Sequence, residues 1–135
     1  MIQVSMGLIG VGTMGGALAL NIAENGTDVA LWNLDLLDID ALIASAGPLA
    51  QKLKKSDSVK AMVQAMPQPR AIILLVPAGT PVDQTIDNLI PLLSSGDTII
   101  DGGNSDFRDT VARFKRVEAV GLAYLGIGIS GGAEG

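Results

Sequence analysis

The chain has 135 residues and contains neither cysteine nor histidine. That excludes thiol nucleophiles, disulfides, histidine bases and zinc sites built on those ligands. Aromatic residues make up only 3%, so the core is aliphatic, and the 48% of hydrophobic residues suffice to build one. Charged residues stand at 17%, below the roughly 25% of an average soluble domain, which argues against disorder. No Lys or Arg precedes Lys52, so the cationic start of a signal peptide and an Arg-rich transit peptide are both missing. No apolar run approaches the ~18 residues needed to span a bilayer. A net charge of −5 and a pI near 4.4 do not suit broad nucleic-acid binding. The expectation is one cytoplasmic domain with no membrane or nucleic-acid partner.

What is present is an alternation. Residues 2–9 form an apolar first strand, followed at once by Gly10-Val11-Gly12-Thr13-Met14-Gly15 and a helical pattern that stops at Asn25-Gly26. A short strand spans 28–33, and a helix spans 35–46 before Gly47-Pro48. Residues 51–60 hold four of the five lysines and read as the most polar stretch. A helix over 57–66 follows, capped by Ser56 or Asp57, and then a buried strand over 71–76. A helix runs from Gly79 to about Leu93, a strand over 98–101, a helix over 106–119 and a last strand over 122–129. Strands alternating with helices specify an α/β fold of Rossmann type, a doubly wound and mostly parallel sheet with helices on both faces. The glycine-rich end, Ser130 to Gly135, reads as leading into further chain. Residues 1–135 are therefore expected to be the dinucleotide-binding domain of a longer protein.

The chemistry sits in the loops. Gly10-x-Gly12-x-x-Gly15 lies between a strand and a helix. There the first glycine makes the turn, the second admits a pyrophosphate and the third lets helix pack on strand. The end of the second strand, Asn33-Leu34-Asp35, faces the adenosine ribose. An Arg at that end would accept the 2′-phosphate of NADP, but no cation stands there, and Asp35, Asp38 and Asp40 add negative charge. A phosphate would rely on backbone amides, on Asn33, or on Lys52, Lys54 or Lys55. Val76-Pro77-Ala78-Gly79, Gly102-Gly103-Asn104-Ser105 and Ser130-Gly131-Gly132 follow other strands, and with the glycine turn they outline one cleft. Arg108, Arg113, Lys115 and Arg116 read as the solvated face of a helix. Met14 reads as a packing residue beside the glycine turn, and Trp32 as buried.

These residues are similar to a known family. Gly7-Leu8-Ile9-Gly10, Met14-Gly15, Ile73-Leu74-Leu75-Val76, Asp101-Gly102-Gly103-Asn104-Ser105 and Ser130-Gly131-Gly132-x-x-Gly135 resemble the N-terminal domain of the decarboxylating 6-phosphogluconate dehydrogenases, in order along the whole chain. The resemblance implies that Gly10, Val11, Gly12, Thr13, Met14, Gly15, Asn33, Leu34, Asp35, Val76, Pro77, Ala78 and Asn104 touch the cofactor. It implies further that Asn104, Ser130, Gly131 and Gly132 touch a sugar-acid phosphate. The implied enzyme is a homo-oligomer of the pentose phosphate pathway that uses NADP. Its catalytic Lys and Glu fall beyond Gly135. Two departures stand out. Leu34 replaces the family's usual Arg, which makes NAD at least comparable with NADP, and Pro77 stands where a Lys is common. Two alternatives are a hydroxyisobutyrate-type dehydrogenase domain, which would usually lack Asp101–Ser105, and a non-catalytic dinucleotide sensor.

Overall fold

The computed structural model describes residues 4–103 and 106–127. Six strands form one sheet: β1 (Ser5–Ile9), β2 (Val29–Trp32), β3 (Leu53–Lys55), β4 (Arg70–Leu74), β5 (Thr98–Asp101) and β6 (Ala123–Gly126). Every pairing is parallel, and the spatial order is β3-β2-β1-β4-β5-β6. The helices are α1 (Thr13–Glu24), α2 (Leu36–Ser45), α3 (Val59–Ala65), α4 (Thr80–Leu89) and α5 (Phe107–Glu118), with a short 3-10 helix at Gly47–Lys52.

Alternate residues of a strand face opposite sides of the sheet, and each side builds its own aliphatic layer. Ala19 and Ala23 of α1 and Ile39 of α2 pack with Leu8, Val29, Leu31, Leu53 and Ile73. On the other side Met62 and Val63 of α3, Val82, Ile86 and Leu89 of α4 and Val117 of α5 pack with Ile72, Leu74, Ile99 and Tyr124. The doubly wound expectation therefore holds, and the sheet is parallel throughout.

Several local expectations need correction. The polar stretch at 51–60 contains β3, which pairs Leu53 with Val29 and Lys55 with Leu31. Only Leu53 of this three-residue edge strand is buried, so it has too few apolar residues to announce itself, and its lysines suit an exposed edge. Ser58, not Ser56 or Asp57, caps α3, its hydroxyl accepting from the Ala61 amide at 3.0 Å. Helix α4 ends at Leu89, four residues short of the expected Leu93. Trp32 is only half-buried, its indole N–H reaching the Asp57 carbonyl at 3.3 Å.

One buried ion pair fastens the end of the sheet opposite the cleft. Asp97, 0% exposed, accepts from the Arg70 amide, the Arg70 guanidinium and the Ser94 amide, each at 2.9 Å. Burial by itself would raise its pKa, but these hydrogen bonds and the Arg70 charge outweigh it and hold the carboxyl below the ordinary 3.8. A depressed folded-state pKa stabilises the fold above the unfolded value and loses that contribution as pH falls through the folded one. Asp97→Asn keeps one accepting oxygen but turns an N–H₂ toward donors that the other oxygen served and removes the charge opposite Arg70, and is expected to cost about 3 kcal/mol near neutral pH. Denaturant melts of both proteins at pH 7 and pH 3 check this. The difference should shrink in acid, and a difference independent of pH would contradict the assignment.

Candidate functional site

All the candidate loops that fall within the described residues leave the carboxyl edge of the sheet. The Gly10 amide donates to the Trp32 carbonyl at 3.1 Å, and the Leu75 amide to the Ile9 carbonyl at 2.8 Å. The Gly102 amide donates to the Leu74 carbonyl at 2.9 Å. These bonds carry the ladder one step past the strand ends and bring the loops after β1, β2, β4 and β5 to one level. Strand order reverses at β1, where the chain continues to β2 on one side and later returns to β4 on the other. A crevice opens at such a switch point, with room for one mononucleotide on each side.

The three glycines of the turn prove to differ. Gly10 has φ +106°, a conformation that L side chains rarely adopt, and a Cβ there would run into the Leu75 carbonyl. A Cβ on Gly15 would collide with the Gly10 carbonyl oxygen, so the close approach of α1 to β1 requires glycine. Gly12 has neither constraint. Its φ is −91°, and a Cβ would meet nothing within 4 Å. Among the described residues the fold explains the first and third glycines and does not require the second.

Gly12 is also the N-cap of α1, and no side chain caps that helix. Helices α2, α3 and α5 are capped by Asp35, Ser58 and Asp106. With no acidic residue in its first turn, α1 presents amides and a positive dipole end to the crevice. An anion suits that position. A groove of about 560 Å³ opens beside Gly12 and runs between α1 and α2 past Gly16, Asp38 and Leu42. Met14 is exposed on α1 rather than packed as expected, at 38%.

The end of β2 is held from within. The Asn33 side-chain oxygen accepts from the Val11 amide at 2.7 Å, and its amide group donates at 2.9 Å to the Asp35 carbonyl and to Asp38 Oδ2. Asn33 thus ties the glycine turn to the start of α2, and its side-chain N–H₂ is engaged within the chain rather than offered to a ligand. Asp35 caps α2 by accepting from the Leu37 amide at 3.0 Å. Leu34 is 89% exposed. Of the lysines considered for a phosphate, Lys52 pairs with Asp28 at 3.7 Å and Lys55 with Asp40 at 3.0 Å. Lys54 is exposed on the edge strand.

On the far side of β1, Val76, Pro77 and Ala78 lie in the loop after β4, and Gly79 begins α4 with φ +93°. Gly102 and Gly103 follow β5, and a Cβ on Gly103 would sit 3.4 Å from the Val76 carbonyl oxygen, so the two loops abut. The expected ligand contacts of Asn104, Ser130, Gly131 and Gly132 lie outside the described residues. The reading of Arg113 as a solvated residue was mistaken: it is 2% exposed and donates from Nε to Asp83 Oδ1 at 2.9 Å. Arg108, by contrast, is open to solvent as expected. Among the described residues no group of three or more metal-binding side chains occurs, and no helix is long and apolar enough to cross a membrane.

A parallel sheet ordered in this way, with an open glycine and an uncapped helix at its switch point, defines a dinucleotide-binding domain of the Rossmann type. The family model described as the NAD binding domain of 6-phosphogluconate dehydrogenase matches residues 5–135, and the chain belongs to that family. It is 46% identical over 131 residues to the decarboxylating 6-phosphogluconate dehydrogenase of Bacillus licheniformis, covering 97% of this chain and 28% of that one. It is 44% identical over 131 residues to the NAD(+)-dependent decarboxylating enzyme of Bacillus subtilis, with the same coverage. Among solved structures, the 6-phosphogluconate dehydrogenase of Plasmodium falciparum, studied apo, with NADP+ and with 6-phosphogluconate, superposes with a TM-score of 0.86 at 31% identity, covering 95% of this chain and 27% of that one. The chain spans little more than a quarter of the length of these relatives.

Proposed function

We propose that the chain binds a nicotinamide dinucleotide across the switch point and serves as the cofactor domain of an enzyme that oxidatively decarboxylates 6-phosphogluconate to ribulose 5-phosphate. The observation that carries the binding site is Gly12, a glycine that neither conformation nor packing among the described residues requires. The α1 amides would hold the pyrophosphate, Leu34 and Asp35 would border the adenosine ribose, and Val76, Pro77, Ala78 and Asn104 would border the nicotinamide half. Bound nicotinamide supplies the hydride acceptor, and the protein supplies binding and orientation. The substrate follows from the named relatives, with Asn104 and Ser130-Gly131-Gly132 as its proposed contacts.

The chain has no histidine; Lys54 and Lys55 lie on the edge strand, two strands from β1, and Lys52 just before it. A base and an acid for the reaction belong to the part of the relatives that this chain does not span. In the whole protein, the proposal includes a cytoplasmic homo-oligomer acting in the pentose phosphate pathway. The test pairs binding with turnover. Calorimetry should show 1:1 binding of NAD or NADP by the 135 residues, while 6-phosphogluconate is not oxidised by them above a cofactor-only blank. Absence of binding would refute the site. Turnover would refute the placement of the acid and base.

A further inference from the structure

Around the buried Arg113 lies an ionic network that joins four elements near the loops after β4 and β5. Arg113 of α5 donates to Asp83 of α4 at 2.9 and 3.3 Å, and from Nη2 to the Gly79 carbonyl at 3.1 Å. Its Nη1 stands 3.8 Å from Asp101 Oδ2, at the end of β5. Tyr124 of β6 donates its hydroxyl to the same Asp101 oxygen at 3.2 Å, while Asp101 Oδ1 accepts from the Gly103 amide at 3.0 Å. One loop is thus held at the Gly79 carbonyl and the other at the Gly103 amide. Both holds meet at a single guanidinium and its carboxylates.

Stability alone is a poor reason for this arrangement. Taking a guanidinium out of water costs several kcal/mol before its partners compensate. Meanwhile the same helix leaves Phe107 and Phe114 exposed at 79% and 47%. An apolar residue at 113 would pack under the loops more cheaply. What the guanidinium adds is direction: a planar fork of donors that fixes its partners at set angles. Hydrogen bonding to Asp83 and the neighbouring carboxylate charges keep Arg113 firmly protonated. Burial, reinforced by Asp101, pushes the Tyr124 phenol up so that it remains a donor.

We propose that Arg113 is a positioning residue for the nicotinamide half of the site, acting with Asp101 and Tyr124 to set the spacing of the 76–79 and 101–103 loops. The inference rests on the dinucleotide reading above. It predicts an asymmetry, because the adenosine half lies across β1, over β2, where the network does not reach.

ADP-ribose, which lacks only the nicotinamide ring, isolates what the ring and its contacts contribute. Arg113→Met keeps the length of the side chain and removes the fork. In calorimetric titrations it should weaken NAD binding roughly tenfold while ADP-ribose affinity stays within about twofold of wild type. Tyr124→Phe keeps the ring and removes one donor, so it is expected to fold even where Arg113→Met does not; its NAD affinity should fall roughly threefold with ADP-ribose unchanged. Equal losses for both ligands, or no loss for either, in folded variants would overturn the positioning role and leave dinucleotide binding standing. Equal wild-type affinities for NAD and ADP-ribose would also overturn it, since the nicotinamide ring would then be making no contribution. No wild-type binding of either ligand would refute the dinucleotide reading itself, and this inference with it.

Discussion

Gly12→Val is expected to remove dinucleotide binding from a protein that still folds. The isopropyl group has room, since a Cβ at this position meets nothing within 4 Å and the backbone is extended. Exchanging glycine for valine at a helix N-cap costs about 1 kcal/mol, which a domain of this size tolerates. The same group would occupy the space through which a pyrophosphate approaches the α1 amides. Charge-assisted hydrogen bonds are worth roughly 1.5–3 kcal/mol each. Losing two of them would weaken binding by about two to four orders of magnitude. Gly10→Ala and Gly15→Ala are the contrasting controls, because each new Cβ would press on a backbone carbonyl. Those variants should lose thermal stability, whereas Gly12→Val should lose affinity. Calorimetry together with thermal melts separates the outcomes, and undiminished NAD affinity in folded Gly12→Val would place the site elsewhere.

Leu34→Arg is expected to shift cofactor preference toward NADP by one to two decades. A 2′-phosphate carries close to two negative charges, and arginine recognises it through a bidentate fork. The wild-type chain offers an exposed leucine instead. Beside it Asp35 caps α2, the Asn33 amide is tied to Asp35 and Asp38, and Lys55 is paired with Asp40. The carboxylates repel a phosphate, although salt screens the exposed ones. We therefore propose that wild-type NAD affinity at least equals that for NADP. Both choices occur among the relatives: the Bacillus subtilis enzyme is NAD(+)-dependent, and the Plasmodium falciparum enzyme forms a complex with NADP+. One new charge-assisted contact is worth roughly 1.5–3 kcal/mol, or about one to two decades. Competitive titration with both dinucleotides checks it. A wild-type NADP affinity a hundredfold above that for NAD would mean that Lys54 or backbone amides hold the phosphate.

Much of the scaffold was legible because its signals are local. The apolar run 71–76 and the Gly10–Gly15 turn declare a buried strand and a strand-to-helix junction through residue type alone. β3 was not legible, because one buried leucine followed by two lysines gives no periodicity to read. The glycine turn could be located from the sequence, but the distinct reasons for its three glycines needed coordinates. Gly15 is forced by a carbonyl five residues away and Gly10 by one that is distant in sequence. Asn33 was read as a possible phosphate contact, and only the structure reveals its amide bridging the turn to α2. Arg113 was lost among Arg108, Lys115 and Arg116. Its one local hint is the four-residue spacing to Val117, which puts both on the buried face of α5. Its partners Asp83 and Asp101 come from other elements and have no sequence signature.

The most direct test of the central claim is amide chemical-shift mapping of the labelled chain during titration with NAD. Dinucleotide binding across the switch point predicts shifts on both sides of β1: Val11, Gly12 and Gly15 in the turn, Leu34 after β2, and Ala78, Gly79 and Gly103 after β4 and β5. The amides of the Ser94–Asp97 turn, at the opposite edge, should stay in place. Shifts confined to the groove between α1 and α2, or to one side of β1 only, would contradict binding across the crevice.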